Sequence, residues 1–230
     1  MISKIVPNSI QGCEASDLSI EDGVRLKIAQ REDDKNKAYK LRHILFSQEL
    51  KWVPESEDGR EIDEYDTSAV MLIAQDSQNQ VLGHMRIHPP ETPFMIEDEF
   101  SQLLHKSCHI KKTPDIVEVT RCGVAPWARS LKFRTPWGSA DVFTLLIKGT
   151  YAWCLEHGCN YVYAVTDHKV IRLLKMRGFP VEPLGEPTLM PDGVIAVAFG
   201  IDWRRFEEKT FQQNRGMLAW FTPDPKALAS

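Results

Sequence analysis

A carboxylate set inside a strand-forming run constrains this chain more than any other feature. Ile116-Val117-Glu118-Val119-Thr120-Arg121 is rich in β-branched residues and reads, with its continuation to residue 124, as one strand. Period-two alternation puts Glu118 and Thr120 on one face and Arg121 on the other. A bulge would break that rule and swing Arg121 toward the same cleft, and bulges recur beside active sites. Among Ile116, Val117 and Val119, the Glu118 carboxylate is either exposed at a sheet edge or buried with a partner. Burial raises a carboxyl pKa toward the range useful to a general base, and a nearby arginine pulls it back. A structural ion pair is the plain alternative.

Residues 41–66 supply the candidate partners. Arg42, Phe46 and Trp52 fall on a helix end and the loop after it, followed by Asp63 and Asp66. Taken singly, each has an ordinary explanation: a solvated or ion-paired arginine, aromatic packing, acids that cap a turn. The expectation is that both stretches line one cavity.

In chain order, residues 1–22, with Pro7, Asn8 and Gly12, read as an irregular N-terminal leader. Val24, Leu26 and Ile28 alternate with Arg25 and Lys27, a strand with one buried face. Asp33 or Asp34 caps a helix carrying Ala38, Leu41 and Leu45 on one stripe and Arg42 and Phe46 on the next, ending near Leu50. Residues 69–74 and 81–88 form a hairpin around a polar turn; His84, Arg86 and His88 share one face of its second strand. A short helix is expected at 96–105, and Ser139 and Asp141 start a longer one that Gly158 ends. Residues 160–166 read as a strand, 167–177 as a helix closed by Gly178, and 194–201 as the last clear strand. Beyond it a polar helix and tail look peripheral. Strands first in hairpins and later alternating with helices indicate a mixed α/β (α+β) sheet.

The chain of 230 residues is long enough for one sizeable core, and its net charge of −4 argues against a general nucleic-acid binder. Five cysteines without CxxC spacing speak against a disulfide framework or zinc site and favour a reducing cytoplasm. The histidines offer no third ligand beside His84 and His88, so no metal is expected. Cys122 beside Arg121 invites a nucleophile reading, but no partnered histidine is indicated. No apolar run is long enough to span a bilayer, and no signal peptide is evident.

Together these residues resemble the LuxI-type acyl-homoserine-lactone (autoinducer) synthases. That family's pattern is an Arg, a Phe four residues on, a Trp six further, an Asp-x-x-Asp pair eleven later, an Arg twenty past it and then a Glu-x-Ser/Thr-Arg strand; Arg42, Phe46, Trp52, Asp63, Asp66, Arg86 and Glu118-Val119-Thr120-Arg121 match it. The resemblance implies a single-domain GNAT-like fold, a central twisted mixed sheet flanked by helices, with its acyltransferase domain at residues 23–202 and a C-terminal helix and tail at 203–230. It implies transfer of an acyl group from acyl carrier protein or coenzyme A to the amine of S-adenosylmethionine, then lactonisation with release of methylthioadenosine, giving a quorum-sensing signal. S-adenosylmethionine is a substrate there, and no metal or redox cofactor is implied. Glu118 is the implied base and Thr120 an aid to the oxyanion; Arg42, Phe46, Trp52, Asp63, Asp66, Arg86 and Arg121 would form the S-adenosylmethionine pocket.

The chain departs from the family at Cys122, where many members have Phe, and at Ala164, where users of 3-oxo chains often have Thr. It also lacks, after Val124, the Gly-rich loop of ordinary N-acetyltransferases. An acidic carrier protein would need basic side chains, for which Lys148, Arg172, Lys175, Arg177, Arg129, Lys132 and Arg134 are candidates. The alternatives are an N-acyl amino acid synthase of the same fold and a non-catalytic acyl-carrier or small-ligand binding module.

Overall fold

The computed structural model describes residues 17–222; the expected loose segment around Pro7, Asn8 and Gly12 lies outside them. One sheet of nine strands organises the molecule, in the order β1-β2-β3-β4-β5-β8-β11-β10, with β9 also pairing β11. Its first half is a meander: β1 (Asp17–Glu21), β2 (Val24–Ile28), β3 (Val70–Gln75), β4 (Val81–His88) and β5 (Ile116–Val124) pair antiparallel in turn. In its second half β8 (Tyr161–Asp167) lies parallel to β5, and β11 (Ile195–Asp202) pairs antiparallel with β8, β9 (Val181–Pro183) and β10 (Thr188–Leu189).

The helices cover both faces, as the alternation on β4 requires. A Cβ on Gly83 would meet Val142 and Leu146 of α2 (Val142–Glu156), so that face of β4 lies under α2. Met85, on the same face, takes a hydrogen bond from Thr150 of α2 at 2.8 Å. The opposite face, bearing His84, Arg86 and His88, is fully buried and turns toward α1 (Glu32–Arg42) and the acids beyond it. α3 (His168–Met176) follows β8 directly, its first turn capped by Asp167, whose side chain accepts from the Lys169 amide.

Several expectations need correction. Asp17–Glu21, inside the expected leader, is strand β1, because its backbone finds a partner in β2. The expected helix at 96–105 is a chain of turns with one short 3-10 turn at Ser101–Leu103. Its amides close tight i→i−3 turns, Ser101 to Asp98, Leu103 to Phe100 and Leu104 to Ser101, in place of a continuous α-helical ladder, and the Met95 and Ile96 amides at its entrance bond the Glu118 carboxylate. Ser139 belongs to a hairpin, β6 (Phe133–Thr135) with β7 (Gly138–Ala140), and Asp141 alone caps α2. The helical part of the C-terminal segment is not peripheral, and the tail from residue 223 lies outside the described residues. Trp203 and Phe206 of α4 (Trp203–Gln213) and Met217, Trp220 and Phe221 of α5 (Arg215–Phe221) enter the main core, where Tyr151, Phe179, Phe206 and Phe221 pack ring on ring. Among the described residues, no helix is long and apolar enough to cross a membrane.

Candidate active site

Two local departures from regular structure build the site. The first extends α1: residues His43–Glu49 continue it as a π-helical turn, with the Leu50 amide reaching back to the Leu45 carbonyl at 2.9 Å. Lys51 then takes a left-handed φ of 56°, and the Trp52 amide returns to the Phe46 carbonyl at 2.8 Å. The reversal stacks Trp52 on Phe46, centroids 6.0 Å apart, with Trp52 still 41% exposed.

The second departure is the bulge in β5. The β4–β5 register runs from Arg86↔Thr120 to His84↔Gly123, so β5 carries one residue too many, and Arg121 sits there at φ 51°. The bulge turns the Arg121 side chain off its expected face and under the Phe46 ring, 5.6 Å from its centroid. A Cβ on Gly123 would lie 2.4 Å from the Leu45 side chain, so glycine there lets the helix approach the bulged strand.

Between these elements lies a buried cluster of three guanidinium groups and three carboxylates. Arg42 binds Glu61 through Nε and Asp66 through Nη1. Arg86 binds Asp63 and Asp66 through Nη1, the latter at 3.0 Å, and Thr120 Oγ1 through Nε at 2.9 Å. Arg121 binds Asp63 through Nη2 at 2.9 Å and Glu61 through Nε at 3.2 Å. Asp63 and Asp66 also close a capping box on the 3-10 turn Glu64–Thr67, which fixes both acids to one backbone. Burial alone would push Asp66 up; the Arg42 hydrogen bond and the charges of Arg42 and Arg86 outweigh it and hold the carboxyl at about 2. Arg42 and Arg86 are fully buried, whereas the side chains of Asp63 and Arg121 stay 21% and 15% exposed. Those two are the least enclosed members of the cluster, and of its six side chains Arg121 alone lines the adjoining cavity.

Glu118 has no arginine partner. Its two oxygens accept from the Met95 and Ile96 amides at 2.6 and 2.8 Å, and it is wholly buried. Burial pushes its pKa up to about 7, against the lowering pull of the Ile96 and Met95 amides and of Arg86. Thr120, two residues on, takes hydrogen bonds from Arg86 and from His88, whose Nε2 lies 2.8 Å away. Burial and the charge of Arg86 keep His88 neutral, at a pKa of about 3, and its Nδ1 has no partner. A buried orphan N–H costs more than a buried orphan lone pair, so the proton belongs on Nε2. Arg86 and His88 then fill both lone pairs of Thr120 Oγ1 and leave its O–H free for the cavity.

That cavity, of about 650 Å³, opens where β5 and β8 cease to pair beyond Val119↔Ala164. Phe46, Trp52, Thr120, Arg121 and Cys122 line one side; Met85, Ile147, Ala164, Phe199 and Trp203 give it an apolar interior. The structure therefore brings Phe46, Trp52, Thr120 and Arg121 onto one opening, with Arg42, Asp63, Asp66 and Arg86 bonded directly behind Arg121 and Thr120. Glu118 lies on the wall's inner side and does not itself line the cavity. Burial pushes the Cys122 thiol up to about 12, which removes it as a nucleophile. Sequence reasoning missed Glu61, whose bonds to Arg42 and Arg121 tie the cluster together, and the roles of His84 and His88. Two histidines flanking Arg86 at period two were the available signal.

A mixed sheet whose parallel strands part around an apolar cavity, with helices on both faces, is the GNAT-like acyltransferase fold, and solved structures similar to this one share it. Within that class the chain belongs to the autoinducer synthase family, whose profile matches residues 27–208. It is 31% identical over 187 residues to an acyl-homoserine-lactone synthase of Rhizobium radiobacter, covering 79% of this chain and 85% of that one. An isovaleryl-homoserine lactone synthase of Bradyrhizobium diazoefficiens is 29% identical over 76% of this chain and 75% of its own length. Among solved structures, a CoA-dependent acyl-homoserine lactone synthase, BjaI, with SAM and isopentyl-CoA, superposes with a TM-score of 0.66 at 27% identity, over 79% of this chain and 82% of that one.

Proposed function

We propose that the protein is an acyl-homoserine-lactone synthase that acylates the amine of S-adenosylmethionine from an acyl thioester and then closes the lactone, making a quorum-sensing signal. The observation that carries this reading is the shared opening of Phe46, Trp52, Thr120 and Arg121, backed by the acid–arginine cluster and by a carboxyl poised at about 7. The cluster is charge-balanced, three guanidiniums against Glu61, Asp63 and Asp66, so it offers no surplus negative charge to the sulfonium. It supplies fixed polar groups instead. Arg121, on the cavity wall, receives the substrate carboxylate; Asp63, partly exposed and bonded to Arg121, is our candidate for the ammonium, while Phe46 and Trp52 present π faces to the sulfonium. Arg42, Arg86, Asp66 and Glu61 hold those groups in place.

The ammonium must lose a proton before nitrogen can attack. Glu118 takes it through a water, since its carboxylate stands behind the wall. Nitrogen adds to the thioester carbonyl, and the Thr120 O–H stabilises the developing oxyanion. The C–S bond then breaks, and the thiol leaves with a proton. Finally a carboxylate oxygen displaces sulfur from the methionyl Cγ, closing the ring and freeing neutral methylthioadenosine.

Coenzyme A is the donor the observations favour. Lys148, expected at a carrier-protein surface, is buried and paired with Glu21, while Arg177 and Lys132 are engaged by Asp141 and Arg129 by Glu49. Arg129 and Lys132 stay half-exposed in those pairs, so burial removes Lys148 alone from the expected basic patch, and Arg177 is the most enclosed of the other paired members. We place the enzyme in the cytoplasm, consistent with free thiols at Cys108, Cys122, Cys154 and Cys159.

The test is a panel of acyl thioesters, each on coenzyme A and on carrier protein, with S-adenosylmethionine and mass spectrometry of lactone and methylthioadenosine. Both products in equal amounts are expected. Thiol release that needs an added free amino acid and yields no methylthioadenosine would indicate an N-acyl amino acid synthase, and no turnover with any donor and either acceptor would indicate a binding module.

A further inference from the structure

We infer that His84 is a positioning residue for the S-adenosylmethionine site: its imidazole pins the Arg121 carbonyl and so holds the β5 bulge in the left-handed conformation that aims the Arg121 guanidinium at Asp63 and Glu61. The inference rests on the assignment of that cluster to S-adenosylmethionine. His84 Nδ1 lies 3.0 Å from the Arg121 carbonyl oxygen. A carbonyl only accepts, so Nδ1 carries the proton and Nε2 the lone pair. Among the described residues Nε2 is buried without a partner, the ring is 0% exposed, and the bond to Arg121 is the one hydrogen bond the imidazole makes. Burial together with the charge of Arg42 lowers the ring's pKa to about 3, which keeps this neutral tautomer over the working pH range.

A purely structural core position would be served better by an apolar side chain, because a buried polar ring with an unpaired nitrogen costs stability. What the imidazole provides is a donor at the one place where the β4–β5 ladder slips, between His84↔Gly123 and Arg86↔Thr120. Arg121 at φ 51° is a strained non-glycine residue. Without the clamp it relaxes toward extended backbone, and period two then carries its side chain to the opposite face, away from Asp63 and the Phe46 ring. His84, Arg86 and His88, side by side on one face of β4, in this way hold Arg121 and Thr120 in place from beneath.

The test compares His84→Leu, His84→Asn and His84→Gln with wild type by calorimetric binding of S-adenosylmethionine alone, alongside steady-state kinetics and circular dichroism. The Asn amide nitrogen sits where Nδ1 does and the Gln nitrogen nearer Nε2, so the two amides separate the clamp from mere polarity. His84→Leu and His84→Gln are expected to weaken S-adenosylmethionine binding about tenfold, the scale of one buried hydrogen bond. Their KM for S-adenosylmethionine should rise more than that for the thioester. His84→Asn should stay within about threefold of wild type on the same scale. In an Arg121→Ala background, His84→Leu should cost no further affinity. The inference is overturned if His84→Asn fails to fold or to bind, if Leu or Gln binds like wild type, or if the Leu loss persists undiminished without the Arg121 side chain. Wild type that does not bind S-adenosylmethionine at all would remove the proposed function, and this inference with it.

Discussion

Replacing Glu118 by glutamine tests the proposed base while keeping its shape. In the native site the Met95 and Ile96 amides each find a carboxylate oxygen, at 2.6 and 2.8 Å. Glutamine offers one oxygen and one NH₂, so one of those amides meets a donor, a buried mismatch of about 1–3 kcal/mol. Against it stands the burial cost of the wild-type charge. A carboxyl raised from its ordinary 4.5 to about 7 binds its proton more tightly folded than unfolded. Between those values the native state holds the extra proton, so wild-type stability is highest below pH ~4.5 and falls as pH rises through ~7. The loss is about 3 kcal/mol. Glutamine does not titrate and lacks that slope. The variant should therefore be less stable than wild type near pH 5 and close to it near pH 8.5, measured by urea unfolding at both.

Activity separates further. Loss of a general base costs about 10²–10⁴ in kcat, and the rise of rate with pH centred near 7 should disappear. The assay is thiol release with mass spectrometry of the lactone across the pH range. A glutamine variant that turns over at the wild-type rate with the same pH profile would refute the assignment. So would a stability difference that does not change between pH 5 and 8.5, since Glu118 would then not carry the raised pKa that argues for it.

Trp52→Ala should raise KM for S-adenosylmethionine while leaving the unfolding midpoint nearly unchanged, because the ring is 41% exposed; thermal unfolding and initial rates check both. Phe221→Ala, in the segment that looked peripheral, should cost about 3–5 kcal/mol in urea unfolding, as truncation of a fully buried aromatic does. Arg42→Met leaves three carboxylates to two guanidiniums in the cluster, with Glu61 held by Arg121 alone and Asp66 by Arg86 alone, and should destabilise by about 3–5 kcal/mol in urea unfolding. Arg121→Met, at the partly exposed rim, should show the smaller stability loss and the larger loss of S-adenosylmethionine affinity.

The strands and α2 were legible because their signals are local: alternation on β2, β4 and β5, and Asp141 ahead of a long apolar run. The bulge was legible only as a possibility, because nothing local dictates a left-handed Arg121; it follows from contacts with His84, Glu61 and Asp63, distant in sequence. The segment around Met95 looked helical from its composition and was not. Its backbone closes short turns, and its entrance is anchored to the buried Glu118 carboxylate, a contact distant in sequence that no local pattern announces. Glu61 escaped notice since an acid in a charged loop has no distinguishing pattern. The core role of Trp220 and Phe221 escaped because a seven-residue helix carries little periodic signal.

The cluster's composition argues for function over stability. Three arginines and three carboxylates cost more to desolvate than they return, and apolar side chains of similar volume would usually serve a core as well or better. Such a network earns its place by fixing geometry at its one accessible edge. Here that edge is Arg121, which lines the cavity, with the partly exposed Asp63 bonded to it, and each inner member acts on that pair: Arg42 and Arg86 through Asp66 and Asp63, Glu61 through Arg121. Because the inner charges cancel, the edge can bind a zwitterion, with its ammonium and carboxylate a few ångströms apart, without favouring either charge. S-adenosylmethionine carries that zwitterion at one end and a sulfonium beside it. In the proposed binding mode the neutral cluster would serve the former, and the Phe46–Trp52 stack, which carries no charge, would serve the latter.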